Sequence, residues 1–554
     1  MRAAIEAHDR GADVLILSKG KFGVSGATVT ASADVNCDSK SFCEMGFDGD
    51  PDDTKEKFFE DNVVGGKFMN DQRLVEILVN DAPERIKEML NWGAPGQFVY
   101  QTPGHRYPRG LWIVGRDFAL TLQKQVRKRN IRCINHCQVI GLSKAGDRIN
   151  GAFAIDMAKG EYLSIQAKAV IVATGGAMNV YRITTAPNEL YGDGHIMALE
   201  AGAELVDMEF PTFLLGCCTP PAAQGMNFTF AMLTRAGAHM YNREGIRFME
   251  KWDPVRREQT TRDTLLVGTA NEIGNGLGTP NNGVWVSLHH MSHNQIDYIF
   301  EKYGEWHGKG KDYYECFKIA DLWPDPYNEA IEGCPSAHFW SGGIRIGANG
   351  ETAVEGLFAA GEVTGGVHGA NRLSGNAMTD IIVWGKRSGE AAAALCKETK
   401  PLPKPDIRSS SAFEYAESLL CQGSSQSTSD IKSRLQHKSE ECMGPVRSKR
   451  GLQEAISEAD KILSELPAHR CEYKERVFNR EWADAISLRN MAKIVRITSS
   501  AATMREESRG AHYRKEYTGT DVRWLKNIVV KKDGNDECLY TKPLDVTSLK
   551  PEGL

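Results

Sequence analysis

The chain has 554 residues and a mass of 61.2 kDa, with 67 Lys+Arg against 72 Asp+Glu for a formal net charge of −5. At roughly 150 residues per domain this length corresponds to about three domains, and 41% apolar with 25% charged residues excludes wholesale disorder. The near balance of charge offers no basic face for nucleic acid, mean hydropathy is −0.39, and no run reaches the ~20 apolar residues of a membrane span.

The opening, MRAAIEAHDRGADVLILSKG, reads as a helix over residues 2–10 closed by Gly11, then a buried parallel strand over 13–18. A helix followed by such a strand is the second half of a βαβ dinucleotide-binding unit. The strand and GxGxxG loop that would hold a pyrophosphate do not precede it, so the expectation is a chain truncated at Met1. Residues 25–35 form a loop of small residues suited to lie against a flat ligand. Residues 50–92 carry a helical pattern through Leu74, Ile77, Leu78, Ile86 and Leu90. A loop rich in His, Arg and Pro spans 104–116, and a helix spans 117–129. Strands are expected over 133–141, 148–156 and 167–173, the last running into Thr174-Gly175-Gly176, a common ligand-approach point in a parallel sheet. A second strand-then-glycine element lies over 356–362, followed by a helix from Asn376 to about 396. The Pro- and Ser-rich stretch 401–428 reads as a linker, with a helical region and a polar tail beyond it.

The 13 cysteines include no CxxC pair, so neither a disulfide framework nor an in-chain iron–sulfur or zinc site is expected; this suits a reducing, cytoplasmic compartment. Three patches could carry chemistry: Thr260-Thr261-Arg262-Asp263, His338 before Gly342-Gly343, and the Gly-rich loop GGVHGANRLSGN at 365–376. Taken singly, an Arg beside an Asp is usually a structural ion pair and a lone His is usually structural. The third patch is the most specific, because cationic side chains in a Gly-rich loop between a strand end and a helix face an anion well.

These residues resemble the flavoprotein subunit of the succinate dehydrogenase/fumarate reductase family, which includes soluble fumarate reductases and L-aspartate oxidase. The resemblance runs through GGKFMND at 65–71, Ala82-Pro83-Glu84-Arg85, Ala173-Thr174-Gly175-Gly176, Gly192-Asp193-Gly194, Thr260–Asp263 and AAGEVTGGVHGANRLSGN at 359–376. It continues in Leu488-Arg489-Asn490, ESRGAHYR at 507–514 and Trp524-Leu525-Lys526. It implies an α/β fold: a doubly wound FAD-binding domain with a parallel sheet (1–210 and 335–400), an inserted α+β capping domain (211–334), the linker, and a C-terminal helical domain with tail (429–554). It implies FAD contacts at Ser18, Lys19, Ser25, Thr28, Ala173, Gly175, Asp193, Glu362 and Asn376. Arg262 matches the proton-transferring arginine, and His338 and Arg372 match the pair that grips a substrate carboxylate.

Departures from the family pattern shape the rest of the expectation. Ala27 stands where membrane-bound members carry FAD covalently on a His, so FAD should be non-covalent, which leans toward reduction of a C=C bond. Leu214 replaces the His of a QxHPT-like pattern, no Thr-Glu pair is found near Phe230-Ala231, Arg235 lies close to a relay arginine, and Ala33-Asp34 replaces Gly-Gly beside the flavin. Burying a second carboxylate against Leu214 would cost several kcal/mol. The expected substrate is therefore an enoate with one carboxylate rather than fumarate. An iron–sulfur subunit is the expected electron-transfer partner, with any position at the inner face of the membrane arising through partner subunits. The rival readings are an L-aspartate-oxidase-like amino-acid oxidase and a non-catalytic relic or assembly subunit.

Overall fold

The computed structural model describes residues 1–31, 34–226, 230–306, 325–423, 426–534 and 536–551. Its first helix, Arg2–Asp9, ends where Gly11 takes φ 86°, and it lies against the long helix Asn376–Glu398. Two glycines make that approach possible: a Cβ on Gly389 would sit 2.4 Å from the Ala3 carbonyl oxygen, and one on Gly385 2.8 Å from Arg2 Cβ. The apolar strand Leu15–Leu17 pairs in parallel with Arg132–Ile134. Val170–Val172 pairs in parallel with Leu357–Ala359, so the two strand-then-glycine elements are neighbours although the capping insertion separates them in sequence. This is the α/β FAD-binding architecture that the sequence implies.

Several elements differ in detail. The helical stretch 50–92 is two helices, Lys55–Gly65 and Gln72–Asn91, broken where Lys67 and Phe68 take positive φ. The single strand expected over 133–141 is divided into Arg132–Ile134 and Cys137–Ala145, because His136 at φ 51° turns the chain between two sheets. Cys137–Ala145 then forms an antiparallel meander with Arg148–Asp156 and Glu161–Gln166. A small sheet of Asp34–Asn36, Gly110–Trp112 and Val99–Tyr100 closes over the same body and sets Asp34 opposite Trp112 and Tyr100 opposite Gly110.

The inserted segment is built on an antiparallel sheet ordered Pro211–Cys217, Ile331–Trp340, Val284–Ser287, His239–Tyr241. It has a core of its own, including Leu215, Phe230, Met240, Val286, Ile296 and Ile331. The helix Arg262–Glu272 lies between that core and the main one, with Leu265 in the first and Leu266 in the second.

Beyond residue 400 the stretch read as a linker contains a helix, Ser411–Leu420, whose Ser410 side chain accepts from the Phe413 N–H and whose Ala416 and Leu419 are fully buried. Three further helices follow: Thr428–Met443, Lys449–Glu465 and Arg480–Met504. Their starts are fixed by Ser427, Ser448 and Asn479, each accepting a hydrogen bond from a backbone N–H of the first turn. The polar tail is a hairpin, Lys526–Asp533 with Asp536–Pro543, which extends a sheet through Leu205–Val206 and Gly343–Arg345 to Thr364–Gly365. A fully buried ion network ties this end of the chain to the body. The Arg505 guanidinium donates to Glu209 at 2.7 Å, to Glu507 at 3.0 Å and to the carbonyls of Trp524 and Lys526. No described helix is long and apolar enough to cross a membrane.

Candidate active site

The residues expected to meet the cofactor fall into two groups. Ala173 follows the apolar strand Val170–Val172, yet Ala173 and Thr174 are exposed and Gly175 turns with φ 73°. Glu362 follows the paired strand and reaches across beneath this ledge, where it accepts from the Trp340 N–H at 3.1 Å. A Cβ at Gly176 would lie 2.3 Å from Glu362 Oε1, so only glycine lets the carboxyl occupy that place. Burial is the largest influence on Glu362 and pushes its carboxyl up to about 7, against the pull of Trp340 and Arg372. A buried acid that is half protonated near neutrality, under an exposed ledge of small residues, fits a ring-and-hydroxyl ligand such as FAD.

The second group is engaged internally. Lys19 Nζ donates to Asp193 Oδ2 at 2.8 Å and to Ser487 Oγ at 2.9 Å, and lies over the Tyr191 ring. Asp193, at the start of the helix Asp193–Ala201, also accepts from Asn490, so both positions are bound to the helix Arg480–Met504. Ser18 caps the end of its strand, with its N–H donating to the Ile134 carbonyl. The Ser25 hydroxyl donates to the Lys21 carbonyl at 2.9 Å. Thr28 lies in the short helix Ala27–Thr30, pressed against Gly115, where a Cβ would meet the Thr28 carbonyl at 2.2 Å. Asn376 is buried, with its amide donating to Asn62 and accepting from Asn36. The structure thus places Ala173, Gly175 and Glu362 on one ledge and holds Lys19, Asp193 and Asn376 in side-chain networks.

Arg262, His338 and Arg372 come together. Arg262 opens the helix Arg262–Glu272 and faces a small cleft, with Thr212, Phe213, Leu266 and Val267 on its wall and Gly510 and Ala511 beside them. Arg372 is buried with its guanidinium 4.5 Å from the centre of the Phe339 ring; it donates to the Leu373 carbonyl, and its Nε has no partner among the described residues. His338 lies on the strand beside Phe339, with Nδ1 2.8 Å from Thr185 Oγ1. Burial, then Arg372 and Arg262, hold its imidazole well below its ordinary range. At neutral pH the site therefore has two guanidiniums and a neutral imidazole that acts through hydrogen bonds. Burial, and then the neighbouring Arg262, lower Arg372 itself to about 10, which leaves it charged.

The remaining departures are located as follows. Leu214 is buried opposite Ser336 in the sheet, while Thr212 and Phe213, either side of a bulge, line the cleft. Arg235 donates to the Gln101 carbonyl at 3.3 Å, next to Tyr100. Residues 227–229, part of the stretch searched for a Thr-Glu pair, and Ala33 lie outside the described residues. Asp34 is buried and accepts from the Tyr100 hydroxyl and from Ser374 Oγ. Sequence reading missed Tyr100 and Thr185; neither belongs to a motif, and only strand pairing brings them to the site. His368, the histidine of the Gly-rich loop singled out in the sequence, has its Nε2 3.4 Å from the buried Asp380.

Glu362 gives a stability test. Its carboxyl stands at 4.5 when unperturbed and about 7 in the fold, so the protonated form is the one the fold favours. That contribution is complete below about pH 4.5 and is lost as pH rises through 7. Glu362→Gln is expected to raise the melting midpoint of flavin-stripped protein at pH 8 and to leave it nearly unchanged at pH 4.5. Scanning fluorimetry at the two pH values checks this, and an equal shift at both would contradict it.

Fold and site together define an FAD-dependent oxidoreductase acting on CH–CH groups. Residues 1–378 match the FAD binding domain family and residues 432–553 match "Fumarate reductase flavoprotein C-term". The chain belongs to the succinate dehydrogenase/fumarate reductase flavoprotein family. It is 32% identical to a subunit of the fumarate reductase (CoM/CoB) of Methanothermobacter marburgensis, over 96% of this chain and 95% of that protein. It is 28% identical to the L-aspartate oxidase of Streptomyces coelicolor, over 90% of this chain and 85% of that protein. Among solved structures, a variant of the E. coli quinol fumarate reductase flavoprotein superposes with a TM-score of 0.86 at 25% identity, covering 99% of this chain and 95% of that one.

Proposed function

We propose that the protein reduces the C=C bond of a small monocarboxylic enoate. The observation that carries this reading is the cleft at Arg262, whose wall includes Phe213, Leu266 and Val267 beside the polar Thr212, Asp263 and Asn371, with the buried guanidinium of Arg372 near enough to feel Arg262. Arg372 and His338 take the carboxylate, the planar guanidinium in two parallel hydrogen bonds, and so fix the alkene in one orientation. Ala173, Gly175 and Glu362 would hold FAD on the exposed ledge, and Ala27, whose side chain is a methyl group, leaves it without a covalent link. When bound, FAD supplies the hydride that adds to one alkene carbon. Arg262 delivers the proton to the other carbon. Burial depresses its basicity, and Asp263, whose Oδ1 has no hydrogen-bond partner among the described residues, stands next to it to return the proton.

The electron source in this reading is an iron–sulfur subunit docked beside the C-terminal helices; the M. marburgensis relative is itself one subunit of a larger enzyme by name. The name of that relative also favours a second reading, with fumarate as the substrate. Holo-protein supplied with a reduced viologen dye separates the two: crotonate or acrylate should re-oxidise the dye with the lower KM. Turnover of fumarate with the lower KM, and none of the monocarboxylates, would replace the first reading by the second. Peroxide formation from L-aspartate without added dye would remove both.

A further inference from the structure

Arg262 and Arg372 do not stand alone. Asp34 begins a strand of the small sheet, is buried, and is held from two sides: the Tyr100 hydroxyl donates to Oδ1 and Ser374 Oγ to Oδ2 at 3.4 Å. Ser374 is two residues from Arg372, on the loop that carries the carboxylate grip. We propose that Asp34 is a specificity-determining residue of this site, a fixed carboxylate in the cationic pocket that excludes substrates with a second carboxylate and selects those whose far end is neutral or donates a hydrogen bond. This rests on the enoate reading above and deepens it.

The physical reason is charge. Two buried guanidiniums alone would attract two carboxylates, whereas a fixed internal carboxylate that feels both offsets part of their charge, so a second substrate carboxylate would meet like-charge repulsion. The groups that face Asp34 are few. Tyr100 comes from the neighbouring strand, with Arg235 acting on Tyr100 in turn; Ser374 and Arg372 come from the loop, and Arg262 from its helix. Trp112, its cross-strand partner, contributes no charge. Burial pushes the Asp34 carboxyl up to about 6, opposed by Tyr100, Ser374, Arg372 and Arg262. The exclusion should therefore weaken as pH falls below about 6.

The test compares fumarate with crotonate, and succinate with butyrate. In Asp34→Asn, KM for fumarate should fall by about tenfold while KM for crotonate moves less than about threefold, the scale of one like-charge contact removed. In the wild type the fumarate-to-crotonate preference should rise between pH 7.5 and 5.5, and in Asp34→Asn this slope should vanish. Tyr100→Phe is a second variant: with its hydroxyl gone the Asp34 carboxyl loses a donor, and the same transition should move to higher pH. Flavin difference spectra of the oxidised holo-protein titrated with succinate and butyrate give the same comparison without turnover. An unchanged ratio in Asp34→Asn, or a pH slope that persists there, overturns the inference. If neither enoate is reduced but the succinate-to-butyrate affinity ratio still rises in Asp34→Asn, the reaction reading fails and the role of Asp34 stands.

Discussion

Arg262→Lys should lower kcat by about 10²- to 10⁴-fold, the usual weight of a positioned acid, while leaving the flavin spectrum and the affinity for butyrate close to wild type. Arg262 is fixed by its place as the first residue of the helix Arg262–Glu272, with Asp263 beside it and Leu265 and Leu266 anchoring the following turn in two separate cores. The helix therefore survives the substitution, and the loss is local. A lysine ammonium on a flexible stem cannot hold the planar donor set of a guanidinium in one orientation, and burial depresses a lysine further. Arg372→Lys should behave differently. Its guanidinium is stacked on Phe339 and, in the proposed reaction, takes a carboxylate, so its replacement should raise KM for the enoate while kcat falls less. Stopped-flow re-oxidation of the reduced protein by enoate isolates the chemical step. A normal rate in Arg262→Lys would remove this residue from the proton path.

The doubly wound body was legible because its signals are local. The helix at residues 2–9, the apolar strand Val170–Val172 with its terminal glycines and the helix from Asn376 all follow from short-range pattern. Arg262, His338 and Arg372 were legible only together, through a resemblance that links three distant patches. The Tyr100–Asp34 contact was not legible. The two residues are 66 apart, and their contact depends on a third strand, Gly110–Trp112, pairing with both. The neutral state of His338 was not legible for a related reason: its pKa is lowered by burial and by two arginines from other elements, none of which is written next to it. The tail hairpin was missed because its short apolar run, Ile528, Val529 and Val530, lies among charged residues and yields a strand only when an existing sheet edge is there to receive it. The helix Ser411–Leu420 was missed because the prolines before it and the serines around it read as linker, while its burial depends on the meander and the helix Arg480–Met504.

Replacing Arg505 with Met should cost about 3–5 kcal/mol in the cooperative unit that contains it, the range for removing one partner from a buried ion network. Arg505 is fully buried between Glu209 and Glu507, also fully buried, so the variant leaves two carboxylates with no guanidinium between them. Glu507 keeps Arg509, at 2.7 Å, whereas the Glu209 carboxylate keeps no other ion pair among the described residues. Asp207 makes the loss depend on pH. Burial, then Glu209, push its carboxyl up to about 8, and Arg505 is the main influence pulling it down. An acid raised in this way supports the fold while protonated, fully below its ordinary 3.8, and progressively opposes it as pH rises toward 8. Without Arg505 the opposition should grow, so urea midpoints of wild type and variant should diverge more at pH 8.5 than at pH 6. Adding Glu209→Gln should return part of the loss. The same network braces the cleft, since Arg509 shares Glu507 and is followed directly by Gly510 and Ala511 on the cleft wall. A raised KM should therefore accompany the lost stability. A variant with wild-type midpoints at both pH values would show that the hairpin, rather than this ion network, anchors the C-terminal end to the catalytic body.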